Sequence, residues 1–257
     1  MVSEMPYASH PDFETPDNDT VLWRYSDFAK FMDLIERRKL WFSRADKFED
    51  PLEGTFTDAE AAYFRSLQFS ASPELRGWAT APSRIPQVAP ATTFVNCWRE
   101  GKFESMAMWD IYAKGSGVVA IKSTVGLLKE AFATYKWNVY VSRVKYINWS
   151  DAGGWNSNGL TLCSRKDISY SHESEVRAII WGLEPQPQGG SSLVKLTGDY
   201  MTQIPAGQEV EVDPVRLITE VIVGPREQTR ICNLVQLVMK RYGLPQPVRA
   251  SDRLKSR

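Results

Sequence analysis

The sequence predicts a single α+β domain in which helices flank one twisted, mainly antiparallel sheet. Two features support this prediction. Segments rich in β-branched and aromatic residues recur along the chain, and amphipathic segments with apolar residues at helical spacing lie between them. At 257 residues the chain is also long enough to bury a substantial core.

The first half of the domain is predicted as strand, helix, strand and charged loop. Residues 21–25 predict a strand, and Ser26 is suited to cap the following helix, because its hydroxyl can accept a hydrogen bond from a free first-turn amide. A second strand begins at Trp41. The pattern then predicts a helix over 57–67, a proline-rich insertion over 69–90 and a strand over 92–98.

The second half continues the same alternation of elements. Predicted helices cover residues 105–112, 125–135 and 228–242, and predicted strands cover residues 117–121, 139–147, 173–181, 209–212 and 218–223. We expect residues 1–19 to form a flexible lead-in, residues 20–245 the domain, and residues 246–257 a tail that frays.

Composition excludes several classes of protein. Hydrophobic residues make up 43% and aromatic residues 12% of the chain, which indicates a folded protein. The 31 basic and 31 acidic residues cancel, so overall charge offers no reason to bind nucleic acid or an anionic membrane. No apolar run reaches the length of a membrane span, and the cysteines form no C-x-x-C pair. We expect a cytoplasmic protein without a membrane partner.

Residues 41–54, read W-F-S-R-A-D-K-F-E-D-P-L-E-G, concentrate charge around Phe48 and end in a turn signal at Asp50-Pro51. The segment is either a solvated turn or the rim of a site. Its four acids also resemble the metal-binding set of a nuclease, which leaves a metal-dependent nuclease as one alternative. Those acids are Asp46, Glu49, Asp50 and Glu53.

The chain lacks the motifs of several common enzyme classes. It has only two histidines, His10 and His172, which argues against a Ser-His-Asp triad or a histidine-rich metal site. G-x-S-x-G, G-x-x-x-x-G-K-[ST] and G-x-G-x-x-G are also absent. What remains is a set of carboxylates and arginines.

Alternation places Glu173, Glu175 and Arg177 on one side of a predicted strand. Three charges there indicate either a salt-bridge ladder on an exposed sheet face or a ligand site. Aromatic residues at the end of the strand over 92–98 and in the following helix also allow two interpretations. They either pack in the core or form a wall on which a base or nicotinamide ring stacks. These residues are Trp98, Trp109 and Tyr112.

Several motifs together resemble the bacterial domain-of-unknown-function family twenty-nine seventy-one. They include L-W-R-Y-S from Leu22, the segment 41–54, N-C-W from Asn96, E-S-M-A-M-W-D-I-Y from Glu104 and H-E-S-E-V-R-A-I from His172. The resemblance runs over most of the chain. It implies a bacterial or phage-borne protein of the kind found beside defence or toxin genes, with a protein partner or antitoxin as a further expectation.

The chain is similar, more distantly, to the ADP-ribosyltransferase fold. That fold opens with a strand bearing an Arg or His and later carries a Ser-Thr motif and a Glu, often as E-x-E. Arg24, Ser123-Thr124 and Glu173-x-Glu175 follow in this order here. The resemblance implies that Arg24 holds the pyrophosphate of NAD, that Ser123 binds near the nicotinamide ribose, and that a Glu stabilises the oxocarbenium ion.

These inferences together define the expected site. The expected catalytic residues are Glu175, Glu173 and Arg24. The expected NAD-binding residues are Arg24, Arg44, Ser123, Trp98 and Tyr112, with no metal ligands. Further site candidates are Asp50, Glu53, Glu104, Trp109 and Arg177.

Two other functions stay open beside an NAD-using transferase or glycohydrolase of a defence or toxin system. One is a nucleotide-sensing or protein-interaction module without catalysis, and the other is the nuclease. Nucleic acid enters only as an acceptor for the transferred group.

Overall fold

The computed structural model describes residues 7–70, 72–73, 85–112, 117–150, 158–183, 204–225 and 228–252. Its strands are β1 (Val21–Asp27), β2 (Lys39–Arg44), β3 (Thr93–Glu100), β4 (Val118–Thr124), β5 (Tyr140–Arg143), β6 (Lys145–Ile147), β7 (Arg165–Asp167), β8 (Glu175–Trp181), β9 (Gly207–Glu211), β10 (Glu220–Val223) and β11 (Val248–Ala250). Its α-helices are α1 (Phe28–Arg37), α2 (Asp58–Gln68), α3 (Ile85–Thr92), α4 (Met106–Tyr112), α5 (Val125–Ala131), α6 (Gly159–Leu162), α7 (Pro214–Leu217) and α8 (Gln228–Arg241). Short 3-10 helices cover Ala45–Lys47 and Ile168–Glu173.

One 9-stranded sheet organises the described part of the chain. Seven strands follow the order β11-β10-β4-β1-β3-β2-β9, and β8 and β5 extend the sheet beside β3. All its strand pairs are antiparallel except β10 with β11. The predicted α+β fold with a mainly antiparallel sheet and flanking helices is therefore confirmed.

The two faces of the sheet bury different cores. On one face Leu22 of β1 joins a large cluster to which α1 contributes Phe31, α5 Leu128 and α8 Val235. On the other face Trp23 and its neighbours pack with residues of α4 in a smaller aromatic cluster. Alternate β1 side chains thus pack into opposite cores, as the two-residue period of a strand requires.

The sheet divides at β3. Strand β8 pairs with the whole of one edge of β3. On the other edge β1 pairs at Leu22 and Trp23, whereas β2 pairs only at Ser43 and Arg44, nearer the start of β3. Since β1 and β2 are both antiparallel to β3, they run parallel to each other and are joined by α1. They diverge along β3, and the main chain between these two contacts faces a cleft.

Side chains replace the missing strand pairing at this division. Asn96 Nδ2 donates to the carbonyl oxygen of Trp41 at 2.8 Å, and Arg24 Nη1 donates to the carbonyl oxygen of Cys97 at 2.8 Å. The Asn96 carboxamide also accepts from Trp98 Nε1 at 2.7 Å. These hydrogen bonds satisfy main-chain carbonyl groups at the cleft wall that would otherwise have no partner.

The N-cap of α1 lies one residue after the predicted cap. Asp27, not Ser26, is the N-cap, and its carboxylate accepts from the Lys30 amide at 2.8 Å. The helix ends at Arg37, and its C-cap, Arg38, adopts a left-handed conformation (φ 53°) before β2 starts. The prediction that Ser26 caps α1 is wrong; its side chain instead lines the cleft.

Other predicted boundaries also change. The strand expected over 139–147 is two strands in different sheets. The strand is interrupted at Val144, whose amide donates to the Glu175 carbonyl at 2.8 Å. The strand expected from residue 173 starts at Glu175, since Ser174 is left-handed (φ 45°). Within the expected insertion, residues 74–84 lie outside the described part, and α3 occupies its end.

Described residues of the predicted lead-in and of the predicted tail pack against the domain. The tail predicted to fray over 246–257 contains β11, which pairs parallel to β10. In the predicted flexible lead-in, Tyr7 bridges Val139 and Phe13 is buried. No described helix is long and apolar enough to cross a membrane.

The cap of α1 is testable by stability. Replacing Asp27 with Ala removes an acceptor for a first-turn amide and should lower the free energy of unfolding by about 1 kcal/mol, or the Tm by about 2–4 °C. Ser26→Ala is the matched control and should leave the Tm unchanged. Equal losses from both variants in thermal unfolding would contradict the assignment of Asp27 as the cap.

Candidate functional site

A cleft of about 890 Å³ occupies the division between β1 and β2, a volume typical of small-molecule sites. Several predicted site residues line it together: Arg24, Asp50, Glu53, Trp98, Tyr112, Glu173, Glu175 and Arg177. They come from β1, β3, α4, β8, the 3-10 helix before β8 and the loop after β2. The division of the sheet therefore collects most of the predicted site.

Arg24 forms the cationic part of the cleft. Its guanidinium donates to the Cys97 carbonyl and lies 5.9 Å from the centre of the Trp98 ring. Within the described ranges it forms no ion pair with a carboxylate. Burial lowers the pKa of Arg24, although the guanidinium stays protonated at neutral pH. An arginine desolvated in this way and left without a counter-charge is suited to bind an anion.

Arg177 organises the acidic part. Its guanidinium is almost completely buried, with a side-chain exposure of 1%. It forms a two-pronged ion pair with Glu175, Nε to Oε1 at 2.9 Å and Nη2 to Oε2 at 3.0 Å. Nη2 also donates to Glu53, and Nη1 donates to the Cys163 carbonyl. Of the two interpretations left open for these charges, the ladder on an exposed sheet face does not describe this ion pair, because it is buried.

The pKa values of Glu175 and Glu53 shift in opposite directions. Burial by itself raises the pKa of Glu175, but the charge and hydrogen bonds of Arg177 outweigh it and lower the pKa to about 2. For Glu53 burial is the larger influence and raises the pKa, with Arg177 opposing it. Glu175 is accordingly the firmly ionised carboxylate of the cleft at neutral pH.

Lys166, on β7, completes this charged group and was missed by sequence reasoning. Its Nζ lies 2.5 Å from Glu173 and 3.5 Å from Glu175. Glu173 belongs to the 3-10 helix before β8 and not to the strand face on which it was expected. The run Arg165-Lys166-Asp167 carries no signal that distinguishes it from an ordinary polar segment.

Tyr112, on α4, also lines the cleft. Burial raises the pKa of its hydroxyl, Cys97 acts in the same direction, and Arg24 opposes them. The ring stacks on Tyr25 at 6.3 Å between centroids and remains 40% exposed, whereas Trp98 is buried.

Trp41 on β2 also lines the cleft, although it was not among the predicted site residues. It is 46% exposed, and its Nε1 donates to Ser43 Oγ at 3.1 Å. The indole lies directly on Gly207, where an added Cβ would come within 2.1 Å of the ring. A fixed, exposed indole in a cleft is a surface on which a planar ring can stack.

Four predicted site residues lie elsewhere among the described residues. Ser123 is fully buried and donates to the Leu217 carbonyl. Arg44 pairs with Asp46, and Trp109 is a core residue. Glu104 accepts from Trp109 Nε1 and Arg249. These side chains are absent from the cleft lining, so the predictions that Ser123 and Arg44 bind NAD are not supported by their positions.

The acids of the loop after β2 do not form a metal site in the described part of the chain. No three His, Cys, Asp or Glu residues there are arranged to hold a metal ion. Asp46 and Glu53 are instead bound by Arg44 and Arg177.

Comparisons with known proteins add little. No protein-family model and no curated protein matches this chain, so its resemblance to a family of unknown function stays a prediction. Among solved structures the chain is similar to Thermus sp. 2.9 DarT in complex with ADP-ribosylated ssDNA. The TM-score is 0.36 at 10% identity, over 94% of this chain and 97% of that chain. A likeness at that level supports no functional conclusion.

The buried ion pair makes a prediction for stability. Arg177→Leu leaves Glu175 and Glu53 buried without their cation and should lower the free energy of unfolding by about 3–5 kcal/mol. Arg37→Leu, which removes an exposed cation paired with Glu209, is the control and should cost much less.

The free energy of unfolding that is lost in Arg177→Leu should become smaller as the pH falls. Because the folded pKa of Glu175, about 2, lies below its ordinary value of 4.5, its ion pair stabilises the fold above that ordinary value and loses effect as pH falls towards 2. Urea unfolding at about pH 7 and about pH 4 should therefore show a smaller deficit at the lower pH. A deficit that grows on acidification would be incompatible with an ionised Glu175.

Proposed function

We propose that the cleft is the NAD site of an ADP-ribosyltransferase-like enzyme. The observation that carries this proposal is the presence in one cleft of Arg24, which pairs with no carboxylate of the described residues, and of the firmly ionised Glu175. NAD combines a diphosphate anion with a glycosidic bond that develops positive charge as it breaks. The two charges of the cleft match these two features.

Arg24 is proposed to hold the diphosphate. Among the described residues its guanidinium donates through Nη1 to the Cys97 carbonyl, and the other N–H groups are available for phosphate oxygens. The partly desolvated position strengthens a charge-assisted bond, because solvent screens it less. Trp98 beneath the guanidinium restrains its direction.

Glu175 is proposed to stabilise the reacting ribose by charge. NAD supplies an ADP-ribosyl group, with neutral nicotinamide as the leaving group that keeps the electron pair of the broken C–N bond. The anionic carboxylate, kept ionised by Arg177 and Lys166, lowers the energy of the positive charge that develops at the ribose. Since both of its oxygens accept hydrogen bonds from Arg177, we assign it an electrostatic role and no proton transfer.

Glu173 is the better candidate to orient the acceptor. Its side chain is 20% exposed and contacts Lys166 at the cleft. A carboxylate in that position can accept the proton of an attacking O–H or N–H group as the new bond to the ribose carbon forms. Attack by water makes the same site an NAD glycohydrolase.

The biological role we infer is that of a bacterial defence or toxin-type effector, held in check by a protein partner or antitoxin. The motif resemblance to a bacterial family supports this part of the proposal. A nucleic-acid acceptor is compatible with it, because the acceptor needs only to present a nucleophilic oxygen or nitrogen at the mouth of the cleft.

A nucleotide-sensing module is the second candidate. One observation favours it: Glu175 is enclosed by Arg177, Glu53 and Lys166 and is 7% exposed. A carboxylate so enclosed can serve purely to shape a binding site. In that case the cleft binds NAD or another nucleotide and passes the signal to a partner without chemistry.

Purified protein incubated with NAD separates these functions. The transferase predicts release of nicotinamide, detected by chromatography, and loss of that release in Glu175→Gln, whose amide lacks the charge but retains acceptor capacity for Arg177. Arg24→Gln should weaken NAD binding by about tenfold or more, whereas the exposed Arg216→Gln should not. Binding without release by the wild type would favour the sensing module. No binding of NAD would overturn the transferase and leave only a module for another nucleotide.

A further inference from the structure

Asp50 carries a buried carboxylate oxygen that the protein leaves without a partner. The residue is only 9% exposed. Its Oδ1 accepts from the Leu52 amide at 2.9 Å, so one oxygen is bound within the turn. Oδ2 is buried and has no hydrogen-bond partner among the described residues. Such an acceptor carries a desolvation penalty of a kind that folded proteins rarely leave unrelieved.

Asp50 lies in the wall of the cleft. It opens the turn that ends at Glu53, whose amide donates to the Asp50 carbonyl at 3.2 Å. Glu53 in turn contacts Arg177, which holds Glu175. Asp50 is therefore connected through Glu53 to the acidic part of the cleft.

A ligand that relieves this oxygen must bring an N–H or O–H donor to the acidic part. In the function proposed above, that part receives the nicotinamide ribose, because Glu175 acts on its glycosidic bond. The nicotinamide ring itself has one pair of donors, the N–H groups of its carboxamide. A carboxylate on the ring in place of the carboxamide would offer no donor and would repel Asp50.

Resting on that proposed function, we propose that Asp50 Oδ2 accepts a hydrogen bond from the carboxamide of nicotinamide and so selects NAD against its nicotinic acid counterpart. Asp50 is then a specificity-determining residue that takes no part in bond breaking. Its turn is built to present it, since Oδ1 is held by the Leu52 amide while Oδ2 remains available.

The test compares the affinities of the two dinucleotides. Titration calorimetry in the Glu175→Gln background, which removes turnover, should give NAD the tighter binding by about tenfold or more. Adding Asp50→Asn should reduce this ratio to about one or reverse it, because the Asn amide can donate to a ring carboxylate. Asp58→Asn, an equal change at an exposed position outside the cleft, should leave the ratio unchanged.

Thermal unfolding of each variant establishes that it is folded, and Asp50→Ala, which only removes the carboxylate, should also lower the ratio. Equal binding of both dinucleotides before Asp50 is changed, or an unaltered ratio in Asp50→Asn, overturns this inference while leaving the proposed function intact. A change confined to the preference between NAD and its hypoxanthine counterpart would assign Asp50 to the adenine end and also overturn it. Binding of neither dinucleotide would overturn the proposed function as well.

Discussion

The divergence of β1 and β2 from one edge of β3 is the constraint on which the rest of the structure depends. A fully paired β3 would have no room for a ligand, because its neighbours would lie within hydrogen-bonding distance along the whole edge. Instead β1 and β2 each pair over a short stretch, and Arg24 and Asn96 satisfy the groups between them. The same contacts that complete the sheet therefore place a cation at the wall of the cleft.

The opposite part of the cleft is constrained by charge. Arg177 is buried with two glutamates around it, and Lys166 adds a second cation. A buried ion group of this kind contributes little net stability compared with apolar residues of similar volume, yet removal of one member leaves an uncompensated charge. What it provides is a carboxylate held ionised at a fixed place. Positioned charge of that type is useful to a site that acts on developing positive charge.

The sequence predicted several residues that line the cleft but could not always determine which way a side chain faces. Glu175 and Arg177 lie there as the E-V-R alternation of β8 predicts, and Arg24 of β1 lines the same cleft. Ser123 was misjudged, since β4 is buried on both faces and its sequence shows no alternation. Glu104 was misjudged because its partners Arg249 and Ser251 lie in a segment expected to fray. Lys166 and Trp41 depend on long-range packing that no local pattern records.

We propose that this cleft binds a nucleotide diphosphate through Arg24, with the acidic part around Glu175 facing the ribose that carries nicotinamide. A crystal structure of the protein with a non-hydrolysable NAD analogue would examine both contacts at once. We expect the diphosphate within hydrogen-bonding distance of the Arg24 guanidinium and the nicotinamide ribose beside Glu175. An analogue bound outside the division between β1 and β2, or bound there with its diphosphate away from Arg24, would refute this proposal.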